Sequence, residues 1–386
     1  MKTLDRHLQA ALARVEQAGR RRVLRPAELA GAGRILRGGR SLVDFSSNDY
    51  LGLARHPLLM ERSSEWTRRH GTGSGASRLV TGTGEAVLAL EARIARFKGA
   101  EAALVFASGW QANAATIPAL VSAMPGVAIF ADRLIHASMH AGLAIAGARQ
   151  QRFRHNDLDH LAELLARSRE APARLILTES VFSMDGDIAD LGALARLARE
   201  HDAILFVDEA HATGVLGPGG RGLSAEVPGG VDVTMGTFSK AMGGFGAYIA
   251  GSRVLIDWLA NAASGFVFST ALPPGTLGAI DAALDLVAGM DAERAHLARL
   301  GERLRAGLAT LGLDHGASAT QIVPAVIGSE ADALALAAAL EERGFLAAAI
   351  RPPTVPPGTS RLRLALRAGH QEADVDALLE GIAACR

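Results

Sequence analysis

The chain contains a single cysteine, Cys385, in 386 residues. That scarcity excludes an internal disulfide framework and any thiolate metal cluster. It also lacks a charge excess, because 40 Lys and Arg offset 40 Asp and Glu. No global field therefore draws the protein to nucleic acid or an anionic membrane. Long apolar runs are missing too: none reaches the roughly 18 residues that span a bilayer. The N-terminal MKTLDRHLQAALARVEQ mixes both charge signs and has no apolar stretch of the secretory kind. Internal repeats and low-complexity tracts are absent, and aromatics amount to only 4 %. The expectation is a soluble, cytoplasmic protein. What remains is rich in Ala, Leu and Gly, and is long enough for two or three domains with a substantial core.

Residues 4–17 read as an amphipathic helix, followed by the basic entry RRRVLRP. From residue 84 onward, helical patterns alternate with short apolar runs. GEAVLALEARIARFKG places Val87, Leu90, Ile94 and Phe97 on one helical face. The runs AALVF (102–106), VAIFAD (127–132), RLILTES (174–180), AILFVDEAH (203–211) and VDVTMGTFSK (231–240) read as strands. Strands buried on both faces and separated by helices predict a mostly parallel sheet. Ligands collect at the carboxyl ends of such strands, where Asp132, Glu179, Asp208, His211 and Lys240 all fall. The expected organisation is an N-terminal helix and arm (1–47), a large domain (48–284) and a smaller C-terminal α/β domain (285–386). The last comprises a Leu-lined helix, a strand (321–327), a helix (330–343), two strands around RPPTVPPGTS and a final helix.

Lys240, in GTFSKAMGGFG, poses the chemical question. A Walker A loop needs its glycines before the lysine, whereas here they mainly follow it. GTGSGA (71–76) matches a dinucleotide fingerprint in letters, but EWTRRH rather than an apolar strand precedes it. VDEAHATGV carries Asp208, Glu209 and His211 without a second ligand cluster, so no metal site is expected. Taken singly, these residues read as a helix cap and a structural histidine. Together with a lysine at the end of the next apolar strand, they fit a pyridoxal 5'-phosphate site. That cofactor needs a Schiff-base lysine, a carboxylate facing its pyridinium nitrogen and donors for its oxygens. FASGWQAN offers a helix start for the phosphate at Ser108 and Gly109, and His136 stands after a strand as a ring to stack on the cofactor.

FSSNDYLGL, GSGASRLVTGT, HNDLDHL, ESVFSMDGDIADL, VDEAHATGVLGPGGRG, TFSKAMGG, FSTALPP and RPPTVPPGTSRLRL occur in that order. Together they resemble the α-oxoamine synthases, fold-type I pyridoxal phosphate enzymes that condense an amino acid with an acyl thioester and release CO₂. The resemblance runs from about residue 20 to the C-terminus. It implies that Lys240 is the Schiff-base lysine, that Asp208 faces the pyridinium nitrogen and that His136 stacks on the ring. His211 and Ser183 would surround the phenolic oxygen. Gly109 and Trp110 would bind the phosphate through backbone N–H groups, helped by Thr237. Thr270 would reach the phosphate of the other subunit in a homodimer with shared sites. Arg22, Asn48, Arg351 and Thr354 would face substrate, with Arg351 gripping the amino-acid carboxylate. The freed Lys240 amine would remove the Cα proton, and His136 would polarise the new carbonyl.

Within the family, GSGASR, FSTALPP and RPPTVPPGTSRLRL look most like members that use L-alanine and a pimeloyl thioester of coenzyme A or acyl carrier protein. The alternatives are glycine-using sisters that make 5-aminolevulinate or 2-amino-3-oxobutyrate, and a catalytically silent subunit. Trp110, where a smaller aromatic is expected, and Ala76, where glycine is common, depart from the pattern.

Overall fold

Every apolar run between residues 102 and 240 becomes a strand of one sheet. The computed structural model describes residues 2–17, 19–31 and 33–385. Its largest sheet has seven strands, in the order Ala102–Phe106, Ala247–Gly251, Val233–Thr237, Ile204–Asp208, Arg174–Glu179, Ala128–Asp132 and Gln150–Phe153. Ala247–Gly251 runs antiparallel to both neighbours, and the five strands on its far side pair in parallel. The α/β class with a mostly parallel sheet is therefore as the patterns predict. One strand carries no apolar signal of the expected kind. Gln150–Phe153 sits at the sheet edge and is mostly exposed, so its sequence, QQRF, need not be apolar.

Alternation within the strands explains the layers. Leu175, Leu177 and Phe206 face a cluster that includes Ile117, Met139 and Leu143. Ile176, Leu205 and Val207 face the opposite one, with Leu161, Leu165 and Leu194. Burying each such side chain is worth about 1.5–3 kcal/mol, so both faces hold the sheet in place. The helices between the strands have matching stripes, and side-chain oxygens cap several of them: Ser108, Asp157 and Asp190 each accept from a backbone N–H in the first turn.

Beyond the helix Pro274–Val287 stand the long helix Asp291–Thr310 and a three-stranded antiparallel sheet of Ile322–Gly328, Ser360–Ala365 and Ala348–Ile350. Near the N-terminus, Glu28–Gly31, Arg34–Arg37 and Arg40–Asp44 form a second sheet, joined in parallel by Phe345–Leu346. The arm is thus built partly of strands and is knitted to the C-terminal region. The helix Thr3–Gln17 forms as predicted but buries none of its residues. Among the described residues no helix is long and apolar enough to cross a membrane.

Candidate active site

Five sheet strands end on the same side, and the turns after them deliver the polar groups. Phe106 leads to Ser108, Asp132 to His136, Glu179 to Ser183, Asp208 to His211, and Thr237 to Lys240. They enclose a cavity of about 240 Å³. Its walls bring together Gly109, Trp110, His136, Asp208, His211, Thr237 and Lys240. Ser108, Glu179 and Ser239 join them. Arg22, Asn48, Ser183, Arg351, Thr354 and Thr270 do not line this cavity.

Lys240 Nζ lies 2.9 Å from His211 Nε2. His211 Nδ1 lies 2.7 Å from the Tyr50 hydroxyl, and that hydroxyl donates to Asn48 Oδ1 at 3.0 Å. The Tyr50 proton is thereby committed, so His211 donates from Nδ1 and accepts from the lysine at Nε2. Burial, then the charges of Lys240 and Arg363, push the His211 pKa well below the ordinary value, which keeps the ring neutral. Burial likewise pushes the Lys240 amine down to about 8, against the opposing pull of Asp208. A lysine so placed reaches its nucleophilic, basic form near neutral pH.

Asp208 is 3 % exposed. Its Oδ1 accepts from Ala210 N at 2.9 Å and its Oδ2 from Asn113 Nδ2 at 2.8 Å, which fixes the carboxylate against the cavity wall. Asn113 was not singled out from the sequence, although it lies one turn inside the helix that Ser108 caps. On the neighbouring strand Glu179 stands in register with Asp208. Burial and the Asp208 charge raise its pKa well above the ordinary value, so it stays protonated. Both Asp208 oxygens accept N–H donors, the arrangement of an anchored carboxylate. His136 caps the helix Ala137–Ile145, and its ring meets Trp110 edge-on at 6.3 Å between centroids. Burial lowers its pKa.

The glycines after Lys240 have a definite use. Gly243 adopts φ +64°, and a Cβ there would sit 2.4 Å from the backbone carbon of Leu53. Only glycine lets the lysine loop press on the Tyr50 segment. Behind the site, Lys98 pairs with Glu209, the residue after Asp208, with side-chain exposures of 1 % and 0 %.

Arg363 is the main residue that the motifs did not flag. It is 6 % exposed, donates to Ser183 O at 2.6 Å and Asn48 Oδ1 at 3.0 Å, and lies 3.4 Å from the Tyr50 hydroxyl. All three partners are neutral. A buried guanidinium without an ionic partner among the described residues has donors left for an anion. Ser183 and Asn48 are thus linked to Lys240 through hydrogen bonds running by way of Arg363, Tyr50 and His211. Arg351 instead donates to Gly19 O at 2.6 Å. Arg22 and Thr354 are exposed, and so is Thr270, which bridges to Ser77.

His155 lies just outside the cavity. Its Nδ1 is 3.0 Å from Asp132 Oδ1, and its Nε2 is 2.7 Å from Asp187 Oδ2. These two carboxylates outweigh burial and push its pKa up to about 10. A histidine raised from about 6.5 contributes its full stabilisation below that pH and loses it as pH rises through the folded value. The stability gap between wild type and His155→Asn is therefore expected to narrow from pH ~6.5 to ~10. Denaturant midpoints across that range check this. The contribution of Lys240, of opposite sign, is common to both proteins and cancels in the difference.

The donor set fits pyridoxal phosphate: an amine of lowered basicity, a carboxylate anchored by two N–H donors, a neutral histidine and a capped helix start share one cavity. No group of His, Cys, Asp and Glu suited to a metal occurs among the described residues. The chain belongs to the aminotransferase class I and II family, whose model matches residues 40–382. Within that class its curated relatives include 8-amino-7-oxononanoate synthases. A putative 8-amino-7-oxononanoate synthase of Bordetella bronchiseptica is 62 % identical, over 100 % of this chain and 97 % of the other. The 8-amino-7-oxononanoate synthase of Gluconacetobacter diazotrophicus is 58 % identical over 99 % and 97 %. Among solved structures, a serine palmitoyltransferase from S. paucimobilis with bound pyridoxal phosphate and myriocin superposes with TM-score 0.92 at 27 % identity, over 100 % and 98 % of the two chains. The resemblance read from the motifs thus extends to sequence and fold over the whole chain.

Proposed function

We propose that this protein condenses L-alanine with a pimeloyl thioester, carried on coenzyme A or acyl carrier protein, to give 8-amino-7-oxononanoate, CO₂ and free thiol in biotin biosynthesis. The observation that carries the reading is Lys240, its pKa lowered to about 8, facing His211 in the cavity that Asp208 closes. When bound, pyridoxal phosphate supplies an electron-accepting ring that stabilises a carbanion at the amino-acid Cα. Lys240 would anchor the group and, once freed, take the Cα proton, since its affinity for protons is matched to neutral pH. Asp208, a carboxylate held by Ala210 N and Asn113 Nδ2, would hold a protonated ring nitrogen. The N–H groups of Gly109 and Trp110 at a helix start suit the phosphate, with Thr237 beside them. His136 would cover the ring, and His211 and Ser183 would face its phenolic oxygen.

Arg363 joins Arg351 as a seat for the amino-acid carboxylate, and its unpaired charge and place in the Lys240 network favour it. Arg22, Asn48, Arg351 and Thr354 are the proposed remaining substrate contacts. We also read the protein as a homodimer with shared sites. Phe268 (85 % exposed) and Val80 (74 % exposed) flank the Thr270–Ser77 bridge, an apolar surface suited to a second copy that receives Thr270.

Thiol release tests the reading. Pimeloyl-CoA with L-alanine should turn over at least about a hundredfold faster than succinyl- or acetyl-CoA with glycine. Turnover of the glycine pairs alone would replace it by a sister reaction.

A further inference from the structure

The proposed chemistry needs His136 and the Ser183–Arg363 pair at fixed separation, yet His136 and Ser183 hang on different turns. Three segments that no catalytic role claims meet behind them. Asp132 ends its strand, and its Oδ1 accepts from Leu134 N at 2.8 Å, which shapes the turn to His136. Asp187 closes the hairpin that holds Ser183: its carbonyl accepts from Phe182 N at 3.1 Å, and Gly186 N donates to Phe182 O at 2.9 Å. His155 stands between the two acids, and its ring meets Phe182, the neighbour of Ser183, edge-on at 4.4 Å.

Both ring nitrogens of His155 face carboxylate oxygens, which only accept, so both must donate and the ring is cationic. Asn156 repeats the pattern, donating from its backbone N to Asp132 Oδ2 and from Nδ2 to Asp187 Oδ2, each at 2.9 Å. The side chains of Asp132 and Asp187 are 0 % and 7 % exposed, so solvent screens these charges weakly. The hairpin is also seated from the other side, where Gly186, at φ +68°, lies against Ile322 with no room for a Cβ.

We propose that His155 is a positioning residue which, by bridging Asp132 and Asp187, locks the turn of His136 against the hairpin of Ser183 and so against Arg363. Through this bridge it sets how tightly the site holds the amino acid. The inference rests on the cavity being the pyridoxal phosphate site.

The test uses holoenzyme variants His155→Asn and Asp187→Asn, with cofactor content measured so that every value refers to a loaded site. The visible absorbance change on titration with L-alanine gives its dissociation constant, read alongside kcat/KM and Tm. Both variants should keep the cofactor while the alanine dissociation constant rises about tenfold or more, because a sub-ångström to ångström misplacement costs up to about 10²-fold. Loaded variants with lowered Tm but wild-type alanine affinity and kcat/KM would overturn the proposal, since the bridge would then serve stability alone. If His155→Asn does not fold, the near-isosteric Asp187→Asn decides. If neither folds, the bridge governs the fold rather than the site, and the proposal fails. A wild-type protein that takes up no pyridoxal phosphate would instead overturn the cofactor reading.

Discussion

Lys240→Ala is expected to lose the visible absorbance that the cofactor gains on joining the protein, and to lose turnover by about 10³-fold or more. Two functions leave with one amine. The first is the covalent anchor, which no other group can supply, because among the described residues the only nitrogen recorded in hydrogen-bond contact with Nζ belongs to His211. The second is proton transfer at Cα, a contribution of about 10²–10⁴-fold by itself. Lys240→Arg separates charge from chemistry. A guanidinium stays protonated at any accessible pH, so it can neither condense nor act as base, and its activity should match that of the alanine variant. Absorbance spectra and thiol release from the same preparations check both. Substantial turnover in Lys240→Arg would mean that Lys240 serves only as a charge.

Asp208→Asn should retain the fold and bind the cofactor, yet fall about 10²–10³-fold in kcat. The asparagine preserves shape and can still accept from Ala210 N, but it removes the carboxylate that the ring nitrogen would face. A unit charge about 4 Å from its counter-ion at an effective dielectric of about 20 is worth about 4 kcal/mol, or about three decades in rate. Rearrangement of Asn113, whose Nδ2 donates to Asp208 Oδ2, lessens that figure. Steady-state kinetics at saturating cofactor check it. A variant within a few-fold of wild type would show that Asp208 only anchors Asn113 and the strand end.

How much of this could be seen in the sequence differs from element to element. The central strands were legible because burial on both faces demands unbroken apolar runs, and Leu175–Leu177 and Leu205–Val207 have no polar alternative. Gln150–Phe153 was not, since an edge strand left exposed needs no such run. The first two strands of the N-terminal arm are largely exposed, and the pairing of the third, Arg40–Asp44, with Phe345–Leu346 joins segments some 300 residues apart. Lys240, Asp208, His211 and His136 stood out because each follows a strand whose end the pattern locates. Arg363 escaped notice for the opposite reason. In RLRL an arginine reads as the solvent face of a strand, but Ser360–Ala365 is buried throughout, and that face is covered by the site itself.

The sequence by itself determined the α/β class, the side of the sheet on which the chemistry gathers, and the residue types that suit pyridoxal phosphate. These follow from local periodicity and from groups lying near one another along the chain. Only the tertiary structure decided which protons sit where. The neutrality of His211 and Glu179, the lowered basicity of Lys240 and the cationic bridge at His155 all come from burial and from partners distant in sequence. Electrostatics depends on separation in space and on the exclusion of water, and neither is written in the order of residues.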